Sequence, residues 1–213
     1  MQNCVHVFKK PAVEISRNRF QFSSILAKRY CFDWIFPNRS DSNPASLREL
    51  VQKVIASMSC NSLKQSTVDR DFPKETVFQH LFMDGIARYT VPDCSICPEL
   101  SKVFPARDSD VSGSIAGEID FYLNGSLRWG IELLVNGSGI GEHLERFTPD
   151  GKYAPLNMLD YAVVDLRRSG KSGAPTNVER HPNRITVFFD DNFKVAQCLF
   201  GMEAAVTPIS LAE

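Results

Sequence analysis

The chain has no apolar run long enough to cross a bilayer, which takes about 20 consecutive residues. Its first twenty residues, MQNCVHVFKKPAVEISRNRF, lack the uninterrupted apolar core of a classical signal peptide. Both absences lead to an expectation of an intracellular protein with no membrane partner. Cysteine is thin, with six residues at 4, 31, 60, 94, 97 and 198, too few for a disulfide scaffold, so a reducing compartment is expected. Cys94-Ser95-Ile96-Cys97 has the spacing of half a zinc site or a redox motif. No second pair, nearby histidine or βαβ pattern completes either, which leaves two free thiols in a loop. Excess charge of one sign is also missing. With 24 Lys and Arg against 25 Asp and Glu, the net charge is −1, and no global basic field advertises nucleic acid; a local patch would be needed. The one glycine-rich turn, Asn136-Gly137-Ser138-Gly139, lacks both the lysine-serine/threonine ending of a P-loop and the GxGxxG spacing. It reads as a tight strand-to-helix connection.

What is present fits a globular protein. Hydrophobic residues make up 43% and charged residues 23%, and 213 residues allow one sizeable domain, or one plus an extension. A division is expected near residue 46. Residues 1–45 mix basic residues (Arg17, Arg19, Lys28, Arg29) with scattered aromatics (Phe20, Phe22, Phe32, Trp34) and end in the polar stretch PNRSDSNPAS. They read as an N-terminal extension, partly ordered at best, and 46–213 as an α/β domain.

Ser46 and Glu49 form a capping box opening a helix whose stripe is Leu47, Leu50, Val51, Val54, Ile55 and Met58. A polar loop to about Asp71 follows. Pro73 fits the first turn of a second helix running to about Tyr89, with Val77, Phe78, Leu81, Phe82 and Gly85 as its buried stripe. Residues 90–114 read as loop with a short strand near Val103. After the glycine turn, Ile140, His143, Leu144 and Phe147 share a helical stripe, and Glu142 and Arg146 form an i,i+4 pair. Leu159 to Arg167 is nearly continuously apolar, as a central strand covered on both faces is. RITVFFD and FKVAQCLFG then form an antiparallel hairpin across Asp190-Asp191-Asn192. The order α-α-β-β-α-β-β-β makes a mixed sheet flanked by helices, with a right-handed parallel crossover through the helix of His143–Phe147.

The richest segment is GEIDFYLNGSLRWGIELLVNG, residues 117–137. Two alternating runs flank Asn124-Gly125, a hairpin signal. Ile119, Phe121 and Leu123 share one face of the first strand; Glu118, Asp120 and Tyr122 share the other. A two-residue turn would set each apolar row beside the other strand's polar row, which a half-buried sheet penalises. A loop with one more residue, a glycine bulge, restores the match. Phe121 is then expected opposite Trp129, Ile119 opposite Ile131, Glu118 opposite Glu132, Asp120 opposite Gly130 and Tyr122 opposite Arg128. Like charges facing each other destabilise a sheet by roughly 0.2–1 kcal/mol. Three acids beside a glycine therefore read either as a cation site or as acids on a solvent face that Arg128 partly neutralises. His143, at the edge of its helix's apolar face, reads equally as a packed histidine or as a catalytic group.

This order of elements, with IDFYLNGSLRWGIELL, EHLERF, GKY and YAVVDLR, resembles the PD-(D/E)xK nuclease-like C-terminal domain of Crinkler-type effectors, over roughly residues 70–190. The matching positions are Asp120, Phe121, Asn124, Trp129, Glu132, Leu133, Glu142, His143, Arg146, Phe147 and Asp165. The resemblance implies a restriction-endonuclease-like core and a Mg²⁺ (or Mn²⁺) site held by Asp120 and Glu132; Glu118, on the same hairpin face, is a further candidate ligand by position. The implied reaction is hydrolysis of nucleic-acid phosphodiesters. In such a reaction His143, read from its own position, is a candidate proton shuttle. Arg128, Arg146 and Lys152 would hold phosphate oxygens. It also implies an effector secreted into a host cell and its nucleus, with nucleic acid or a host protein as partner. Two departures stand against the motif. Leu134 occupies the position of the motif lysine, so Arg128 or Lys152 must supply that charge. Leu81 stands where related domains carry a helix glutamate, leaving Glu75 as the nearby substitute. Ile25-Leu26-Ala27-Lys28 matches only the last three residues of an LFLAK-like translocation motif. The alternative is a catalytically degenerate fold kept as a binding module.

Overall fold

The structure, a computed structural model, describes residues 5–8, 19–22, 34, 35, 37, 39–68, 71–100, 119–170 and 178–213. The chain forms two units, Met1–Arg39 and Ser40–Glu213. In the first, β1 (Val5–Phe8) pairs antiparallel with β2 (Arg19–Phe22). The tetrapeptide at 25–28 and the expected strand at Val103 lie outside the described residues, as does Glu118.

The second unit is a mixed α/β domain. Its elements are α1 (Leu47–Ser57), α2 (Cys60–Gln65), α3 (Glu75–Tyr89), β3 (Ile96–Leu100), β4 (Ile119–Leu123), β5 (Trp129–Val135), α4 (Ile140–Glu145), β6 (Asp160–Arg168), β7 (Arg184–Phe189), β8 (Val195–Phe200) and β9 (Val206–Ser210). The seven strands from β3 to β9 lie side by side in sequence order. β5, β6 and β7 run parallel and the other pairings are antiparallel. The expected parallel pairing across α4 is present: Glu132 lies beside Val163 and Leu134 beside Asp165. Besides β1, β2 and a 3-10 turn at Ala154–Leu156, three elements of this unit escaped the sequence reading. α2 sits in the expected polar loop, β3 lies just before the undescribed stretch, and β9 pairs with β8 at the sheet edge.

α1 begins as its capping box dictates: Ser46 Oγ accepts from Glu49 N at 3.1 Å, and Glu49 reaches back to Ala45 N at 2.8 Å. α3 starts later than expected. Lys74 is its N-cap, so Pro73 precedes the helix instead of occupying its first turn. Its buried residues are Phe78, Phe82, Gly85, Ile86 and Ala87, whereas Val77 and Leu81 are only partly covered. The stripe is rotated because two phenylalanines one turn apart carry the packing. Phe78 stacks on Phe189 of β7 (5.6 Å between centroids) and Phe82 on Phe121 of β4 (6.4 Å), so α3 lies across the sheet. Burying each such side chain stabilises the fold by roughly 1.5–3 kcal/mol.

Where α3 crosses α1 there is no room for a side chain: a Cβ on Gly85 would lie 2.9 Å from both γ-methyls of Val54. Gly85→Ala gains about 1 kcal/mol of helix propensity, but forcing a methyl into this contact costs about 1–3 kcal/mol. A net destabilisation in urea titration is expected, relieved when Val54→Ala is added. Equal stability of the single variant and the wild type would show that the helices separate freely.

Candidate active site

The β4–β5 hairpin has an odd, five-residue loop, residues 124–128, with Gly125 (φ 81°) and Arg128 (φ 45°) in the left-handed region. The parity is as expected, and the apolar rows match. The register differs by two residues. Phe121 faces Ile131, Tyr122 faces Gly130 and Leu123 faces Trp129, so Arg128 falls in the loop instead of opposite Tyr122. One step beyond Phe121–Ile131, Asp120 comes to Glu132 instead of Gly130. The ladder stops there because the Asp120 carboxylate replaces a backbone acceptor: Oδ2 accepts from Leu133 N at 2.7 Å.

The central strand is buried on both faces, against the expectation of a half-exposed hairpin. Glu132 is 1% exposed, which rules out a solvated acid neutralised by Arg128. β6 alongside and the α4 connection above remove it from water. Burial of a carboxylate demands partners. Tyr153 donates its hydroxyl to Glu132 Oε1, and His143 Nδ1 meets Oε2. Arg146 Nη1 lies 3.3 Å from Oε1 and 3.4 Å from Oε2. The expected Glu142–Arg146 side-chain pair gives way to this stronger one. Tyr153, which stands in the GKY segment but received no role there, is 1% exposed and set edge-on against Phe147 at 5.0 Å; Phe147 in turn stacks on Tyr161 at 4.2 Å. Its place in GKY, an aromatic in a polar turn after a helix, is the signal that could have pointed to it.

Asp120 and Glu75 complete the cluster from the α3 side. Gln79 Nε2 donates to Asp120 Oδ1 at 2.7 Å and to Glu75 Oε1 at 3.4 Å, tying helix to strand. Burial pushes the Asp120 carboxyl up to about 6. The hydrogen bonds from Leu133 and Gln79 offset part of this, and the charges of Glu132 and Glu75 add to it. Glu75 is raised too, by burial first; His143 opposes that shift and Glu132 adds to it. The Tyr153 phenol is raised by burial and by the Glu132 carboxylate it donates to. Burial would lower the Arg146 guanidinium, but Glu132 and Tyr153 together outweigh it and raise it.

The structure thus gathers Asp120, Glu132, His143 and Arg146 with Glu75, and not Arg128. That residue sits in the hairpin loop, immediately before β5 and four residues before Glu132. Lys152 lies in the turn before Tyr153 with its Nζ buried. Among the described residues no group of three or more His, Cys, Asp or Glu side chains is arranged to enclose a metal ion. No helix among them is long and apolar enough to cross a membrane. Cys94 and Cys97 are free thiols, as expected, but Cys97 lies in β3 opposite Tyr122 and not in a loop. Comparison with protein families, curated proteins and solved structures gives no match to this chain.

Proposed function

We propose that residues 40–213 form a nuclease-like domain with a restriction-endonuclease-like core that hydrolyses nucleic-acid phosphodiesters with a divalent cation, Mg²⁺ or Mn²⁺. One observation carries the reading: three acids from three elements, Glu75 of α3, Asp120 of β4 and Glu132 of β5, come together where burial first, and the charges of Glu132 and Glu75 after it, raise the Asp120 carboxyl to about 6. A cation would relieve that repulsion. The donor set fits a hard cation at Asp120, where each oxygen accepts one hydrogen bond and keeps a lone pair, and at Glu75. Glu132 has its four acceptor sites taken by Tyr153, His143 and Arg146, and becomes a ligand only by releasing one of them. A bound cation would polarise a phosphate oxygen and lower the pKa of the attacking water.

The chain's own residues do the rest. Glu132 fixes the His143 ring through Nδ1, which leaves Nε2 to take or give a proton at the substrate. Gln79 sets Asp120 against Glu75. A secreted, host-nuclear effector role is the biological setting this reading would have. The engagement of Glu132 by three donors favours the second reading, a degenerate fold that binds nucleic acid or a host protein. Cleavage of labelled single- and double-stranded DNA and RNA in Mg²⁺ separates them: hydrolysis by the wild type and at least 100-fold loss in Asp120→Asn are expected. An Asp120→Asn protein that cleaves normally would refute the assignment.

A further inference from the structure

The nuclease-like reading leaves a second buried charge cluster unused. Asp165 of β6 is 0% exposed, and Arg184 of β7 is 5% exposed. Arg184 Nη2 donates to Asp165 Oδ2 at 2.7 Å, and Arg167 Nε donates to the same oxygen at 2.8 Å. Two guanidiniums share one carboxylate oxygen, while Asp165 Oδ1 and Arg184 Nε, both buried, have no hydrogen-bond partner. Each such unpaired group keeps its desolvation cost uncompensated, so the arrangement is poor as a stability device. Two cations against one anion also leave one positive charge uncompensated. What the arrangement does achieve is orientation. Arg167 is 29% exposed in its side chain, and its Nε is pinned from below by a carboxylate that Arg184 holds in place. Its two terminal nitrogens make no hydrogen bond among the described residues.

The glycine turn above is shaped around that guanidinium. Asn136 (φ 59°), Gly137 (φ 65°) and Gly139 (φ 68°) are left-handed. A Cβ on Gly137 would sit 2.0 Å from Arg167 Nη2 and 3.2 Å from Asp165 Oδ2. Only glycine at 137 lets the planar fork lie against the backbone. Along the sheet, Val163 is the β6 residue beside Glu132, and Arg167 is four positions further, about 13 Å away, on the same face. That is a few nucleotides from the acid cluster.

We infer that Arg167, pinned by Asp165 beneath the glycine turn 136–139, is an oxyanion anchor that takes a backbone phosphate of the nucleic-acid strand whose scissile bond lies at the acid cluster. The proposal rests on the nuclease-like reading for the class of substrate. An arginine whose Nε is already held offers Nη1 and Nη2 as a fork matching two phosphate oxygens, and the incoming anion cancels the uncompensated charge.

The test is anisotropy of a fluorescent single-stranded oligonucleotide across a salt series in EDTA, so that binding is read without cleavage. Arg167→Gln should weaken binding about tenfold or more and flatten the log–log salt slope by about 0.7, the share of one phosphate. Arg167→Lys should keep the slope and lose only part of the affinity. Gly137→Ala, which retains every charge but displaces the fork, should behave like Arg167→Gln; it serves also if Arg167→Gln fails to fold. Wild-type affinity and slope in both variants would overturn the anchor. So would a wild type that binds no oligonucleotide and whose Arg167 Nε–H resonance does not shift with millimolar inorganic phosphate. The two readings fail separately. Arg167-dependent binding without any cleavage in Mg²⁺ removes the hydrolase and keeps the anchor. Cleavage and binding indifferent to Arg167 do the reverse.

Discussion

In metal-free buffer at pH 7, Asp120→Asn should unfold about 4–8 °C above the wild type, and the gap should close as the pH falls towards 4. The Asp120 carboxyl is raised from 3.8 to about 6, with burial as the chief cause. Between those values the folded protein holds a proton that the unfolded chain has lost. Stability contributed by the protonated group is therefore complete below about pH 4 and is lost as the pH rises through 6. A shift of this size is worth up to about 3 kcal/mol. Partial exposure reduces that to about 2, and each kcal/mol moves the melting temperature of a domain this size by about 2–4 °C. Asparagine is uncharged and keeps an acceptor for Leu133 N. The Gln79 amide can rotate to accept from the new NH₂ group, so the substitution removes the charge without stranding a donor.

The same pair of proteins reads the metal. Mg²⁺ at 100 times its dissociation constant stabilises the wild type by about 2.7 kcal/mol through mass action, and Asp120→Asn should show no such gain. Thermal melts at pH 4, 5, 6 and 7, with EDTA or Mg²⁺, settle both points. A wild type that gains stability relative to Asp120→Asn between pH 4 and 7 without metal would show that the carboxylate is not desolvated. Equal Mg²⁺ shifts in the two proteins would place the cation elsewhere. No shift and no cleavage, with retained nucleic acid or protein binding, would establish the binding module.

Glu132→Ala should cost about 3–5 kcal/mol, the range for breaking a buried ion pair by removing one partner. Three donors lose their acceptor together. His143 and Arg146 have side chains 21% and 27% exposed and can turn to solvent, so much of the loss falls on Tyr153. Its hydroxyl is enclosed and cannot reach water. Tyr153→Phe removes the stranded donor while keeping the ring against Phe147, so adding it to Glu132→Ala should recover 1 kcal/mol or more, on the order of the price of an unmade buried bond. A double-mutant cycle in urea measures the coupling. Additive effects of the two substitutions would mean that the Tyr153–Glu132 bond carries no energy. A loss under 1 kcal/mol for Glu132→Ala alone would mean that the network is slack.

The local signals carried the elements that have them. The Ser46–Glu49 box, the 3.6-residue stripe of α1 and the continuous apolar run of β6 each name their structure through short-range chemistry, and each formed. Parity of the β4–β5 loop was also readable, because side-chain alternation has period two and a one-residue error would invert both faces. Its absolute register was not. A shift of two residues preserves every apolar match, so nothing in the alternation separates Phe121 against Trp129 from Phe121 against Ile131. That choice belongs to the five-residue loop and to Asp120, whose carboxylate captures Leu133 N. α2, β3 and β9 are short and held by tertiary pairing; α2 starts where Cys60 N meets Ala212 O at 2.8 Å, a contact 152 residues apart.

Composition and alternation therefore determined that this chain builds a mixed α/β sheet with acids on the β4–β5 hairpin. They could not say which acids meet, because proximity in a sheet is decided by register and by what covers it. Packing moved the crowding from Glu118 and Glu132 to Asp120 and Glu132. It brought Glu75 to them through Gln79, buried Glu132 under Tyr153, His143 and Arg146, and left Arg128 in the loop. The reason is dielectric as much as geometric. On an open hairpin face these carboxylates would be ordinary surface charges, whereas beneath α4 and beside α3 each must find a donor, a proton or a cation.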